Sequence, residues 1–276
     1  FEFVNQVSNR LFAHAGHTLV ERGLIAHLFD VFHSMGSTAA IYALLAPYFV
    51  SFSLYAKQRR FSQSVRARFA DKDPSADKPN GHRHVFHFTD TLDDVNGVAK
   101  TLKQYLQAAQ ALEKNYTIVT CSNPLEKPQR GVRRFTPVDK YAIPEYSELC
   151  LYIPPFLQML DHCYKSEVTH FHVATPGPIG LAALGIARIL QKPITGTYHT
   201  EFPHYAKALT GDSYIEELLW YYMQWFYNQL DSVYVPSNAT KKELIARGIE
   251  ESKIRLYPRG VDTVRFHPEH RSDILH

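Results

Sequence analysis

After Arg83 the sequence alternates between short apolar runs and longer amphipathic stretches, and this alternation narrows the available folds more than any other feature. The runs are His84 to Phe88, Tyr116 to Thr120, Thr169 to Ala174, Pro193 to Tyr198, Ser232 to Ser237 and Ile254 to Pro258. Each has the length and the β-branched or aromatic content of a strand. Between most of them, Val98 to Leu112, Ile179 to Leu190, Tyr214 to Leu230 and Ala239 to Arg247 carry the apolar spacing of helices with one buried face. Strands alternating with helices predict a Rossmann-like, doubly wound α/β domain: a parallel sheet covered on both faces. Ligands of such sheets gather at the carboxyl ends of the strands.

The first part of the chain reads differently. Residues 1–72 have spaced apolar positions, few β-branched runs and one proline, Pro47, and predict three or so helices. Composition breaks at Ala70 to Arg83, which is polar and contains Pro74, Pro79 and Gly81, so residues 73–83 are expected to be a linker and 84–276 the α/β domain. From Ser34 to Ala56 no charged side chain occurs, and Lys57, Arg59 and Arg60 follow. That is long enough for a bilayer, which needs roughly 20 apolar residues, but Ser37, Thr38, Ser51, Ser53 and Pro47 interrupt it. A buried helical hairpin, an interfacial helix and a membrane span all remain open.

The bulk numbers exclude several classes. With 276 residues and 45% hydrophobic content the chain can bury a sizeable core. Thirty Lys and Arg against 27 Asp and Glu give a net charge of +3, too small and scattered to argue for nucleic acid. Cys121, Cys150 and Cys163 form no C-x-x-C pair, which fits neither a disulfide framework nor a zinc site and suits a reducing cytoplasm. The chain starts at Phe1 without a basic region and cleavage site, and so reads as the cut end of a longer polypeptide rather than a signal peptide.

Three loops carry candidate chemistry. In Thr89 to Leu102, Gly97 stands between the first strand and the first helix, where backbone can approach an anion such as a diphosphate; the plainer alternative is a turn with Asn96 or Gly97 as helix cap. His199 follows the strand ending at Tyr198, where an imidazole can hold a phosphate or sugar hydroxyl or accept a proton, or else satisfy a nearby carbonyl. Beyond it, Glu201 can cap the next turn while His204 and Tyr205 pack. His172 alternates with Phe171 and Val173, which puts it on the opposite face of its strand and makes a hydrogen-bonded core histidine its default role. His82, His84 and His87 invite a metal reading, but no carboxylate or cysteine with ligand spacing accompanies them, and no metal is expected.

Tyr234 to Pro268 resembles the end of the N-terminal domain of family-4 glycosyltransferases: Ser237, Gly248, Pro258, Gly260, Val261, Asp262, Phe266 and Pro268 match its pattern. Thr89 to Leu102 is similar to that family's opening loop, and Thr197 to Tyr205 to its histidine-bearing loop. The resemblance implies the acceptor-binding N-terminal half of a GT-B fold, facing a second domain that binds a nucleotide-sugar. It implies a retaining transfer to a lipid or glycan acceptor, with no metal or cofactor. His199 would lie at the reacting centre, Asn96 and Gly97 against the donor diphosphate, and Thr200, Glu201, His172 and Ser237 with the acceptor. Only eight residues follow Pro268. The chain is therefore expected to lack the donor domain and to be inactive alone, and to work in the cytoplasm at the inner face of the membrane. Residues 1–72 resemble, more weakly, the helical connector joining a phosphoesterase-like domain to such a transferase. Two other classes compete: a membrane-surface or interaction module without catalysis, and a dinucleotide-binding oxidoreductase, which lacks a G-x-G-x-x-G turn after the first strand.

Overall fold

The computed structural model describes residues 2–10, 13, 45–59, 61–62, 64–65, 83–122, 128–143, 146–199, 201–211, 213–258, 260, 263 and 267–270. The expected linker at 73–83 except Arg83, most of the uncharged stretch before residue 45, and Thr200, Val261, Asp262 and Phe266 lie outside these residues.

All six predicted strands form: β1 (His84–Phe88), β2 (Asn115–Cys121), β6 (His170–Val173), β7 (Ile194–Thr197), β8 (Ser232–Val235) and β9 (Ile254–Leu256). A seventh, β3 (Val132–Phe135), joins them in the order β3-β2-β1-β6-β7-β8-β9, with every neighbouring pair parallel. β3 escapes the apolar pattern because it is an edge strand with Arg133 and Arg134 at its centre, and an edge needs an apolar partner on one side only. Between β3 and β6 the chain inserts an antiparallel hairpin, β4 (Asp139–Ile143) with β5 (Tyr146–Ile153), which the sequence reading also lacks.

The helices are α1 (Gly97–Ala111), α2 (Phe156–Lys165), α3 (Pro178–Leu190), α4 (Phe202–Thr210), α5 (Ser213–Asn228) and α6 (Asn238–Ala246). They divide unequally between the two faces. Phe86, Phe88, Phe171, Val173, Ile194, Val233 and Val235 point from the strands into one large core, which α2, α3, α5 and α6 close with Leu160, Ile186, Phe226 and Leu244. Burying each of the large side chains contributes about 2 kcal/mol. On the other face α1 covers β1 and β2 through Val98, Leu102, Leu106 and Ile118. Over β6, β7 and β8 that face is polar: His172, Thr195, Thr197 and Tyr234 take the alternate positions. Residues 45–59 are helical and add Leu45 and Ala56 to the large core, with Phe49 edge-on to Phe156 and Arg59 over the ring of Tyr164. Val50, Leu54 and Tyr55 of the same helix are exposed. Among the described residues no helix is long and apolar enough to cross a membrane.

Candidate functional site

Parallel strands send the segments after β1, β6, β7 and β8 to a single edge, so Asn96, Gly97, His199 and Ser237 all lie along it. The order of strands reverses between β1 and β6, and at such a point the neighbouring loops diverge into a crevice.

On one wall of that crevice Asn96 caps α1, its Oδ1 accepting the Ala99 N–H at 2.8 Å. The cap is therefore Asn96, not Gly97. A Cβ on Gly97 would meet no atom within 4 Å, which leaves the start of α1 open, and no acidic residue in its first turn compensates the positive end of the helix. Ser237 caps α6 in the same way, its Oγ accepting the Thr240 N–H at 3.1 Å. Glu201 stands just before α4 and is exposed, and its side chain makes no capping bond.

His172 takes its default role. Its Nδ1 lies 2.8 Å from the Thr195 hydroxyl and its Nε2 2.8 Å from that of Thr197. Thr195 donates its own proton to the Phe171 carbonyl, which makes Nδ1 of His172 the donor in that contact; with the ring kept neutral by burial, Nε2 accepts from Thr197. Burial, then the charge of His199, pushes its pKa down to about 3. His87, 3% exposed, packs edge-on against His172 with ring centroids 4.3 Å apart and has its Nδ1 2.7 Å from the Tyr116 hydroxyl. Burial, His172 and His199 hold it too well below the ordinary histidine range. Three imidazoles from β1, β6 and the end of β7 thus share one patch of the polar face. His84, three residues from His87 and on the opposite face, belongs to a different environment, between Ser166 and Thr117. Among the described residues no group of three His, Cys, Asp or Glu side chains converges to hold a metal.

Asp90 is the residue that sequence reasoning missed. It leaves the loop after β1 and crosses the crevice to the start of α3, where its Oδ1 accepts the Ile179 N–H at 3.0 Å and its Oδ2 the Thr175 hydroxyl at 2.6 Å. Thr175 Oγ1 in turn accepts the Asp90 N–H at 3.0 Å. Gly177, at the N-cap of α3, has no side chain with which to cap, and a Cβ there would stand 2.4 Å from Asp90 Oδ2. A foreign carboxylate has taken the place of a local cap. Tyr222 of α5 donates to the Pro176 carbonyl and holds the same loop from behind. Burial raises the Asp90 carboxyl to about 6 despite these donors. A clue stood in the sequence, an acidic residue after a strand beside a Thr-Pro-Gly-Pro loop, but the pairing spans 85 residues and no periodicity reports it.

The sheet and its edge define an α/β domain of the class that takes ligands in a crevice beyond the carboxyl ends of parallel strands. The chain belongs to glycosyltransferase family 4, whose sequence pattern matches residues 95–265. It is 26% identical over 179 residues to the sulfoquinovosyl transferase SQD2 of Arabidopsis thaliana, covering 64% of this chain and 35% of that protein. It is 28% identical over 189 residues to a GDP-mannose-dependent alpha-mannosyltransferase of Mycobacterium tuberculosis, covering 67% and 49%. It is 25% identical over 206 residues to an alpha-monoglucosyldiacylglycerol synthase of Streptococcus pneumoniae, covering 68% and 43%. The chain thus spans between about a third and a half of the length of the curated relatives it matches.

Proposed function

We propose that this chain is the acceptor-binding, N-terminal half of a GT-B glycosyltransferase that moves a sugar from a nucleotide-sugar to a lipid or glycan acceptor with retention, residues 84–276 forming that domain and 1–72 a helical segment before it. One observation carries the reading: in a family-4 chain, His199 and the open start of α1 at Gly97 lie on the same carboxyl edge, on either side of the crevice. His199 serves the reacting centre, and the N–H groups beginning at Gly97 face the donor diphosphate. Glu201 and Ser237 border the acceptor, while His172 acts behind His199 rather than on the acceptor itself. The relatives' names, a mannosyltransferase using GDP-mannose and a synthase of glucosyldiacylglycerol among them, support a nucleotide-sugar donor and a lipid acceptor class. The test is incubation of the full-length natural protein with a panel of labelled nucleotide-sugars and membrane lipids. The expected product keeps the anomeric configuration of the donor; an inverted product or no transfer from any donor overturns the reading.

A second reading, a membrane-surface or interaction module without catalysis, draws on the outward face of α5. Tyr214, Leu218, Tyr221 and Trp225 recur there at helical spacing, each at least half exposed, with Glu217 as a charged neighbour. Flotation with phosphatidylglycerol vesicles tests it: binding that falls about tenfold in Trp225→Ser supports a membrane role for this face, and a protein that stays with the soluble fraction removes it.

A further inference from the structure

His204, in the first turn of α4, lies between two carboxylates. Its Nδ1 is 3.0 Å from Glu216 Oε1 on α5, and its Nε2 is 3.1 Å from Glu243 Oε1 on α6. A neutral imidazole has one N–H and one lone pair, and an ionised carboxylate can only accept. Two such contacts require either a second proton on the ring or a proton on one carboxyl. Neither carboxyl is a good home for that proton: the Lys207 ammonium on α4, 2.6 Å from Glu216 Oε2, holds the Glu216 carboxyl below the usual range, with the bond from His204 adding to this, and the Glu243 side chain is 31% exposed, where water favours the ionised carboxylate. Trp220 of α5 stands edge-on to the imidazole with centroids 5.7 Å apart, and Arg247, at the C-cap of α6, covers the Trp220 ring at 4.5 Å. The same cluster reaches β7. Burial, then the carboxylates of Glu243 and Glu201, push the Tyr198 phenol up, and Tyr198 is the residue before His199.

We propose that His204 is a positioning residue: as an imidazolium clamped by Glu216 and Glu243, it fixes the start of α4 against α5 and α6, and with it the segment of His199 and Glu201 against Ser237. The clamp joins α4, which begins three residues after His199, to α6, which begins one residue after Ser237, so both walls of the edge are set by one ring. Its role in positioning an acceptor rests on the reading of that edge as the acceptor cleft; the ring's protonation does not.

The experiment therefore has two independent arms. In the first, ring nitrogen resonances of His204 are recorded by NMR at about pH 7. The parent is expected to show both nitrogens protonated. Glu243→Gln is expected to show the neutral ring with the proton on Nδ1, because the glutamine amide can donate to Nε2 where the carboxylate could not. A neutral ring in the parent overturns the clamp. In the second arm, backbone amide exchange at Tyr198 and His199 is expected to speed up about tenfold in His204→Gln, a local opening of a segment that loses its tie. Exchange unchanged there overturns the positioning role, even if the ring is an imidazolium. In the transfer assay the same variant should raise KM for the acceptor about tenfold with the donor KM unmoved. A parent that transfers no sugar fails the cleft reading instead, and the two NMR measurements still decide the clamp.

Discussion

Replacing His199 by alanine in the full-length protein is expected to lower kcat/KM for the proposed sugar transfer about a hundredfold, equivalent to about 3 kcal/mol of transition-state stabilisation, and to leave the melting temperature close to that of the parent. The expectation follows from where the side chain stands. It follows the carboxyl end of β7 on the polar face of the sheet, outside the apolar cluster that holds the fold together. The rings behind it, His172 and His87, are kept neutral by burial, and His172 is already occupied on both nitrogens, so neither can replace His199 at the edge. Were His199 only a support, its loss would cost about 1 kcal/mol of stability, the worth of one hydrogen bond, and spare turnover of the folded protein. Parent-like kinetics in His199→Ala return the loop to a scaffold role.

Acidification from about pH 7 to about pH 5 is expected to destabilise the fold, with the buried histidines as the cause. His172 titrates near 3 when folded and in the ordinary histidine range when unfolded, and His87 is displaced in the same direction. Between those values the unfolded chain binds protons that the folded chain refuses. The stabilisation is therefore complete above the ordinary histidine range and is lost as the pH falls below it, by about 2 kcal/mol for His172 at about pH 5, with His87 adding to the loss in the same direction. Asp90 works the other way: raised to about 6, it takes up its proton earlier in the folded state and offsets about 1 kcal/mol of that loss over the same interval. Urea titrations at the two pH values measure the difference. His172→Gln, which keeps hydrogen-bonding groups for Thr195 and Thr197 but cannot be charged, should lose about 2 kcal/mol less than the parent on acidification; equal losses in the two proteins would remove His172 as the cause.

Much of the sheet was legible because its strands alternate. His170 to Val173 and Ser232 to Val235 place apolar residues on one face and polar ones on the other, a pattern of period two that survives without any knowledge of neighbours, while His84 to Phe88 reads as a short aromatic and β-branched run. What was not legible has a local reason in each case. β3 hides behind two arginines at an edge, where one apolar flank suffices. α2 begins directly after Pro154 and Pro155 without a side-chain cap, so the usual start signal is missing. His204, which the sequence marks only as a packing residue, meets its partners 12 and 39 residues further on.

By itself the sequence determined the class of fold and the edge on which the chemistry lies, since alternating strands and helices admit few topologies and parallel strands share one carboxyl edge. The tertiary structure alone decided the state of the groups gathered there. Asp90 became the cap of α3, and the imidazoles of His87 and His172 were driven neutral. His204 found a carboxylate on each side. Each outcome depends on burial and on contacts between segments far apart in the chain. Protonation and hydrogen bonding answer to the distance and dielectric around a group, which only the packed chain supplies.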